Sequence, residues 1–492
     1  MNPVPSLLSS RGIILLGLGP GNPELITRQA WHILETCSEI YLRTSQHPVV
    51  EYLPGQIQVH SFDFLYETAD TFAAVYEQII AEVLRLGRRT QGVIYAVPGH
   101  PFIAEATAPE IARRARQEGL PVEVVDGLSF LEPVFSALGL DPFPQTALID
   151  ALELAASHVP AFPPSQPALI AQLYSPAVAS DVKLTLMAHY PDQHPVILIH
   201  AAGALDQKIE NLSLYEIDRS REIGLLTALY VPPLGVDTSF EAFQEIIARL
   251  RAPDGCPWDR KQTHQSLRSY LLEETYEALS ALDTEDSQEM KEEFGDLLLQ
   301  IVLHAQIAVE SGEFNMADVL KSIHTKIVRR HPHVFGEVEI RDAEGVLVNW
   351  ERLKAEERAE NGKAGSSTLD GVALALPALS QANEYLKRAA RVGFDWPDIA
   401  GAIAKLEEEL AEVYQADDFI ERNLEIGDLL FTVANLARWY DVDPESALRE
   451  ANQRFRKRFS FIETAATRQG RSTSDLSLEE MLDLWGQAKQ IG

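Results

Sequence analysis

Along residues 11–230, short apolar runs rich in β-branched residues alternate with stretches of helical periodicity. This alternation is typical of an α/β domain. The pattern predicts helices over 23–36 and 71–86. Predicted strands cover 12–18, 39–42, 92–97, 122–125, 168–173, 195–200 and 213–216.

Breaks in the pattern divide the chain further. The Pro-rich run 158–167 predicts a connector between two halves of the α/β region, and 230–239 closes that region. Beyond it, Glu-, Leu- and Ala-rich patterns of period 3.6 predict an all-α remainder. A charged, then Gly/Ser-rich run at 356–371 predicts a flexible linker. The predicted domains are therefore 1–230, 237–355 and 372–492.

The helical part contains an internal repeat. LLEETYEALSAL (271–282) and EEFGDLLLQIV (292–302) recur as KLEEELAEVYQA (405–416) and LEIGDLLFTVA (424–434). Acidic residues keep their order in both copies, with offsets of 135 positions in the first motif and 132 in the second. The repeated acids are Glu274, Glu277, Glu293 and Asp296, then Glu409, Glu412, Glu425 and Asp428.

These acids predict metal sites. Residues three apart on a helix project from one face, so two antiparallel helices would bring four carboxylates together in each copy. Crowded carboxylates repel unless a cation neutralises them, and Mg2+ or Mn2+ suits a site of oxygen ligands that also holds phosphates. The alternative is a solvated acidic face, but the duplication and the neighbouring apolar stripe favour ligands.

A basic pair follows each acidic set at a constant offset of 128 positions. Lys326 and Arg330 follow the first set, and Arg454 and Arg458 follow the second. Each pair lies on one helix face, four residues apart, and could grip a polyphosphate chain. The alternative is an exposed basic face, which accounts for Arg456 and Lys457.

Composition narrows the function classes. A net charge of -31 argues against general nucleic-acid binding. No apolar run is long enough to span a bilayer. The two cysteines are far apart, and the first residues do not have the pattern of a secretory signal. We therefore expect a cytoplasmic protein without a membrane partner.

Several further motifs complete a family resemblance. GCPWDRKQT (255–263), VRRHPHVFGEV (328–338), NWERLKAEER (349–358) and VGFDWP (392–397), with the carboxylate pairs, resemble MazG proteins over 237–492. The resemblance implies two all-α modules that use Mg2+ to hydrolyse nucleoside triphosphates to monophosphates and pyrophosphate. It also implies that the eight repeated acids are metal ligands.

The resemblance also assigns substrate contacts. Arg454 and Arg458 would hold the pyrophosphate, as Lys326 and Arg330 would in the first copy. Lys387, Arg388, Trp485 and Lys489 would contact the nucleotide. Trp485 could instead be a helix-packing anchor. The C-terminal residues slightly favour the second module as the competent one.

The N-terminal region carries a second resemblance. GLGPG (17–21), EIYLR (39–43), YAVPGHPFIAEAT (95–107) and VEVVDGLSFLEPVFSALGL (122–140) resemble tetrapyrrole (corrin/porphyrin) methylases over 11–228. This family implies two α/β lobes with S-adenosylmethionine between them. PGHP and DGLS depart from its usual loops. The implied cofactor contacts are Pro98, Gly99, His100, Phe102, Ile103 and Ser129.

The sequence thus predicts a multidomain enzyme, with a two-lobed α/β domain followed by two all-α modules. Nucleoside triphosphates are the expected substrates. The family pairs its modules, so the two copies would pair either within one chain or across a homodimer; a homo-oligomer, a dimer, is the expectation. The alternative is a non-catalytic nucleotide-binding protein with a relic methylase scaffold. A bifunctional methylase and hydrolase is a third possibility.

Overall fold

The computed structural model describes residues 12–69, 71–340, 342–360 and 367–491. The chain forms two compact units, Met1–Arg260 and Lys261–Gly492, which are described separately. Within the described ranges, no helix is both long and apolar enough to cross a membrane.

The first lobe of the N-terminal unit is a parallel sheet with the strand order β3-β2-β4-β1-β5. Fully buried β1 and β4 form its centre, as expected for a parallel sheet covered on both faces. Its strands are β1 (Ile13–Gly17), β2 (Glu39–Leu42), β3 (Gln58–Ser61), β4 (Val93–Val97) and β5 (Val122–Val125). Its helices are α1 (Arg28–Thr36), α2 (Asp63–Thr68), α3 (Phe72–Gly87), α4 (Thr107–Gln117) and α5 (Leu131–Leu138).

The second lobe is a mixed sheet with the order β6-β7-β10-β8-β9. Only β6 and β7 pair in parallel, and the other neighbours are antiparallel. Its strands are β6 (Ala147–Asp150), β7 (Ala168–Ala171), β8 (Pro195–His200), β9 (Lys208–Ser213) and β10 (Thr227–Val231). The helices α6 (Ala151–Ala155) and α7 (Pro176–Leu186) pack on this sheet, and α8 (Phe240–Arg251) follows it.

Apolar packing joins the two lobes. Val134 and Phe135 of α5 pack against Leu169, Ile199 and Tyr230 of the second sheet. Helix α5 therefore belongs to the first lobe by sequence order and to the second sheet by its buried contacts. Burial of these side chains contributes roughly 1.5–3 kcal/mol each.

Three expectations for this unit are wrong in detail. The run 158–167 does not separate the lobes, because β6 already belongs to the second sheet; the change of lobe lies between α5 and β6. The expected strand over 213–216 is a 3-10 helix, Leu214–Arg219, because Ser213 and Glu216 form a capping box. The expected helix 23–36 breaks at Thr27, which caps α1.

The second unit consists of helices. Helices of the first copy are α9 (Arg268–Thr284), α10 (Ser287–Ser311), α11 (Met316–Arg330), α12 (Pro332–Phe335) and α13 (Ala343–Glu360). Those of the second copy are α14 (Ala378–Arg391), α15 (Ile399–Gln415), α16 (Phe419–Trp439), α17 (Pro444–Arg468) and α18 (Leu478–Ile491). Short turns make α9 with α10, and α15 with α16, antiparallel hairpins.

The expected linker 356–371 is only partly described. Its first five residues end α13, where the sequence predicted a flexible segment. Residues 361–366 lie outside the described residues.

Candidate metal centre

The repeated carboxylates converge in each helical hairpin. Oxygens of Glu274, Glu277 and Glu293 lie within 4.8 Å of one another, across α9 and α10. In the second copy, oxygens of Glu409, Glu425 and Asp428 do the same across α15 and α16. Three of the four predicted acids therefore meet in each copy, and the missing member differs: Asp296 in the first, Glu412 in the second.

The first set is crowded and incompletely compensated. Oε2 of Glu293 is buried without a hydrogen-bond partner among the described residues. Burial, and then Glu277 and Asp296, raise the pKa of the Glu293 carboxyl above its ordinary value. Burial, and then Asp296 and Glu277, do the same to the pKa of Glu274. Asp296 is thus electrostatically coupled to the set although it lies outside the closest group.

The second set is crowded in the same way but has a basic neighbour. Glu409 is 5% exposed, and its Oε1 lies 2.9 Å from Nζ of Lys405, one turn earlier on α15. Burial, and then Glu412 and Asp428, raise the pKa of Glu425. The hydrogen bond to Glu409 raises the pKa of Lys405, so this ammonium stays charged at neutral pH.

These residues fit a divalent cation. The buried Glu293 oxygen, which has no partner among the described residues, and the acids with raised pKa values are groups that a bound divalent cation would compensate. The donor set contains no histidine or cysteine, which favours Mg2+ or Mn2+ over softer metals.

The two predicted basic pairs have different surroundings. Arg330 of α11 forms an ion pair with Glu357 of α13 and lies over the ring of Trp350, 5.2 Å from its centroid. Lys326 is exposed on the same helix. Arg454 is exposed and pairs with Glu450, 3.2 Å away on its own helix. Arg330 is therefore engaged in the fold, whereas Arg454 is accessible to a ligand.

Arg458, predicted to hold the pyrophosphate, and Trp485, predicted to contact the nucleotide, meet in the structure. The Arg458 guanidinium lies 5.6 Å from the centroid of the Trp485 ring, and its buried Nε has no hydrogen-bond partner in the described part of the chain. Trp485 also packs against the cluster around Ile462, so it is a packing residue as well. Lys489 is exposed on the same helix, α18.

The remaining predicted contacts of the second copy lie on α14. Nζ of Lys387 is 3.9 Å from Glu384, and Arg388 donates hydrogen bonds to the carbonyl oxygens of Asp370 and Gly371. Asn383, also on this helix, is not among the predicted contacts. It is 3% exposed, and its Oδ1 has no partner among the residues described. The polar position within an apolar stripe is the signal that could have identified it.

In the N-terminal unit, three loops meet at the carboxyl edge of β1, β4 and β5. Gly19 and Gly99 exchange backbone hydrogen bonds of 3.2 and 2.8 Å. A Cβ on Gly127 would lie 2.3 Å from the carbonyl oxygen of Gly99, so this approach requires glycine. Ligands of open α/β sheets bind outside this edge.

The predicted cofactor contacts lie in these loops. Nε2 of His100 is 3.2 Å from Oδ1 of Asp126, and its Nδ1 accepts a hydrogen bond from the amide of Phe102. Ser129 is buried and donates to Glu132. Pro98, Gly99 and Ile103 are half-buried, and the Phe102 ring is exposed. The loop residues thus converge, but the Ser129 hydroxyl is already engaged.

The fold and the carboxylate centres define a two-part protein, an α/β domain followed by helical, acidic hairpins. A family model of tetrapyrrole (corrin/porphyrin) methylases matches residues 12–218. A model of the MazG nucleotide pyrophosphohydrolase domain matches residues 262–335.

Relatives extend the likeness beyond these segments. The chain is 43% identical to the Bacillus subtilis (strain 168) protein YabN over 487 residues, covering 97% of this chain and 98% of that one. It is 46% identical over 251 residues to the nucleoside triphosphate pyrophosphohydrolase/pyrophosphatase MazG of Thermotoga maritima, covering 51% of this chain and 95% of the relative. The nucleoside triphosphate pyrophosphohydrolase of Escherichia coli (strain K12) is 43% identical over 251 residues, 50% of this chain and 95% of that protein.

The chain belongs to the MazG family and carries a tetrapyrrole methylase domain ahead of its MazG domain.

Proposed function

We propose that the helical unit hydrolyses nucleoside triphosphates to monophosphates and pyrophosphate with the help of Mg2+ or Mn2+. The observation that carries the proposal is the convergence of carboxylates from two helices, with a buried Glu293 oxygen that has no partner among the described residues. The names of the Thermotoga and Escherichia relatives support the same reaction.

The residues have separable roles in this proposal. The acids Glu274, Glu277, Glu293 and Asp296, and in the second copy Glu409, Glu412, Glu425 and Asp428, would hold the cation. A bound cation would supply positive charge against the phosphates of the substrate. A glutamate not engaged with it would accept the proton of the attacking water.

We further propose that residues 372–492 form a second module and that it is the more active one. The MazG family model covers the first copy, so this proposal rests on the repeated acids and on the 251-residue match, which is longer than either predicted module. The accessible Arg454 supports the ranking, because in the first copy Glu357 already neutralises Arg330.

A homodimer is the proposed assembly. Large apolar side chains are exposed where α15 meets α16: Tyr414 (82%), Phe419 (81%) and Ile420 (71%). Such a patch on a soluble domain marks an interaction surface. A second copy of the same hairpin would cover it, and light scattering of the purified chain tests this proposal.

The test of the hydrolase is pyrophosphate release from mixed nucleoside triphosphates by the full chain. We expect activity with Mg2+ and none in a chelator. Glu409→Ala should remove the larger share of the rate, and Glu409→Ala together with Glu274→Ala should lower it at least about 100-fold, a typical loss for a catalytic group. Glu407→Ala, an exposed acid on the same helix, is the control. Full activity in the double variant Glu409→Ala/Glu274→Ala would contradict the proposed ligand sets.

For the N-terminal unit we propose S-adenosylmethionine binding at the loops 17–21, 98–103 and 126–129. Their convergence at the carboxyl edge of the sheet supports this proposal. Calorimetry with S-adenosylmethionine tests it, and we expect Gly127→Ala to abolish binding, while Gly55→Ala, where a Cβ meets no neighbour, has no effect. Absence of binding at about millimolar ligand, too weak for a working site, would favour the relic scaffold.

A further inference from the structure

Helix α10 carries a polar stripe that continues beyond the carboxylates. Gln300 and His304 follow Asp296 at successive spacings of four residues. Residues at this spacing lie on one helix face. The face that presents Glu293 and Asp296 to α9 therefore also presents an amide and an imidazole, each one turn further along.

In the described part of the chain, each of these two side chains has one polar atom without a hydrogen-bond partner. Gln300 is 5% exposed, and its Oε1 has no hydrogen-bond partner within the described ranges. The same is true of Nε2 of His304. A buried polar atom without a hydrogen bond costs about 1–3 kcal/mol, so two on one stripe require a reason.

The position of the His304 ring is fixed by a second histidine. Nδ1 of His304 lies 2.8 Å from Nδ1 of His264, and the two rings are nearly parallel, with centroids 5.1 Å apart. One Nδ1 must donate and the other accept, so each ring is held in a defined orientation. Nε2 of His304, which is buried and has no partner among the described residues, is thereby held in place along the stripe.

The second copy shows that the fold does not need these groups. The offset of 132 positions places Thr432 and Leu436 where the first copy has Gln300 and His304. The offset of 135 places Ile399 where the first copy has His264. The hairpin of the second copy thus forms with a hydroxyl, that of Thr432, and two apolar side chains, Leu436 and Ile399, at these positions. The polar stripe is particular to the first module.

We propose that Gln300 and His304 form a base-recognition subsite of the first module, for the nucleotide whose phosphates its carboxylates hold. The inference rests on the proposed function. An amide offers a donor beside an acceptor, and imidazole Nε2 adds one more group, which together match the edge of a nucleobase. Four helical residues rise about 6 Å, so both groups lie within a nucleotide's length of Asp296.

The consequence is that the two modules differ in ligand preference. The first would discriminate among bases by hydrogen bonds, which reject a wrong partner strongly because buried polar groups are then left unpaired. The second, with Thr432 and Leu436 at these positions, would have no such discrimination there.

The experiment measures calorimetric binding to the full chain carrying Glu409→Gln, which disables the second module. The probes are the α,β-methylene analogues of ATP, GTP, CTP and UTP, together with inorganic tripolyphosphate, each with Mg2+. We expect this Glu409→Gln chain, the parent of the variants below, to bind the analogue of at least one base about tenfold more tightly than the others. Tenfold is about the value of one hydrogen bond. Gln300→Thr and His304→Leu, which copy the second module, should each remove that preference and leave tripolyphosphate binding unchanged.

Other outcomes overturn the inference. Unchanged base preference in both variants would do so, as would a parent without any preference. An equal loss for all four nucleotides and tripolyphosphate would assign the stripe a structural role. If Gln300→Thr melts early, Gln300→Met keeps a similar side-chain length, adds no charge and removes the amide donor and acceptor. If tripolyphosphate does not bind the parent with Mg2+, the proposed function itself fails; if it binds, only base recognition is in question.

Discussion

Arg449 of α17 lies 3.1 Å from Asp283 at the end of α9, measured from Nη1 to Oδ2. The two side chains are only 20% and 16% exposed. They belong to different copies of the repeat and are 166 positions apart. The ion pair therefore joins the two copies of the repeat within one unit.

This pair should contribute measurably to stability. Part-buried pairs exceed the 0–1 kcal/mol typical of exposed ones, so a double-mutant cycle of Asp283→Ala and Arg449→Ala should give a coupling of about 1–2 kcal/mol. Urea unfolding of the full chain measures it. The exposed pair Arg352 and Glu356 is the matched control and should couple by less than about 0.5 kcal/mol. Equal couplings would show that the pair does not hold the modules together.

The carboxylate crowding makes stability depend on pH and metal. Because the folded pKa of Glu293 is raised, the folded chain binds this proton more tightly than the unfolded chain. The free energy of unfolding therefore falls as pH rises from the ordinary value of 4.5 through the raised value. In a chelator at about pH 7, Glu293→Gln should melt at a higher temperature than the parent, with the difference vanishing at acidic pH.

Bound metal should reverse the order of the two melting temperatures, so that the parent melts above Glu293→Gln. Mn2+ should raise the melting temperature of the parent by mass action, and should raise that of Glu293→Gln much less. Glu313→Gln, an exposed acid beyond the end of α10, should behave as the parent does under both conditions. A parent that is insensitive to Mn2+ would contradict the assignment of Glu293 as a ligand.

The repeat explains how much of the centre was predictable. Glu274 and Glu277, or Glu425 and Asp428, share a helix face by spacing alone, and antiparallel hairpins then bring the faces together. Which three of the four acids lie closest together in each copy was not predictable, because this depends on how each hairpin packs. The contact of Lys405 with Glu409 was not predicted, although their i, i+4 spacing places both side chains on one helix face.

Contacts made only in the folded chain were not predictable. Nothing in the sequence pairs His264 with His304, or Arg458 with Trp485, because these residues meet through helix packing rather than spacing. In the N-terminal unit, β3, β6, β9 and β10 were missed, apart from the last residue of β9, Ser213, which the expected strand 213–216 included. Two of these strands are only four residues long, too short for periodicity to distinguish them from loops. The capping box that makes Leu214–Arg219 helical overrode an apolar, strand-like pattern.

The accessible arginine of α17 should affect catalysis without affecting stability. Its ion pair with Glu450 is exposed and contributes little, so Arg454→Ala should leave the melting temperature unchanged. If Arg454 holds the pyrophosphate, kcat/KM for nucleoside triphosphates should fall about tenfold or more in a chain whose first copy is disabled by Glu274→Ala, as for a lost charge-assisted hydrogen bond. Arg456→Ala, also exposed on this helix, controls for general charge and should have no such effect. Equal losses in both variants would indicate a diffuse electrostatic effect instead.

Lys405 provides the sharpest test of the second centre, because it competes with the cation for Glu409. Its ammonium lies 2.9 Å from a carboxylate oxygen of the proposed site, and any cation there must overcome its charge. Lys405→Met keeps the aliphatic stem but removes the charge, so Mn2+ should bind the second module about tenfold more tightly. The same variant should melt earlier in a chelator, because Glu409 is then buried without a counter-charge. Lys387→Met, an exposed lysine of the same module, should change neither quantity in this assay of metal alone. Weaker Mn2+ binding in Lys405→Met would mean that Lys405 supports metal binding and does not compete with the cation. The ligand role of Glu409 would then need revision.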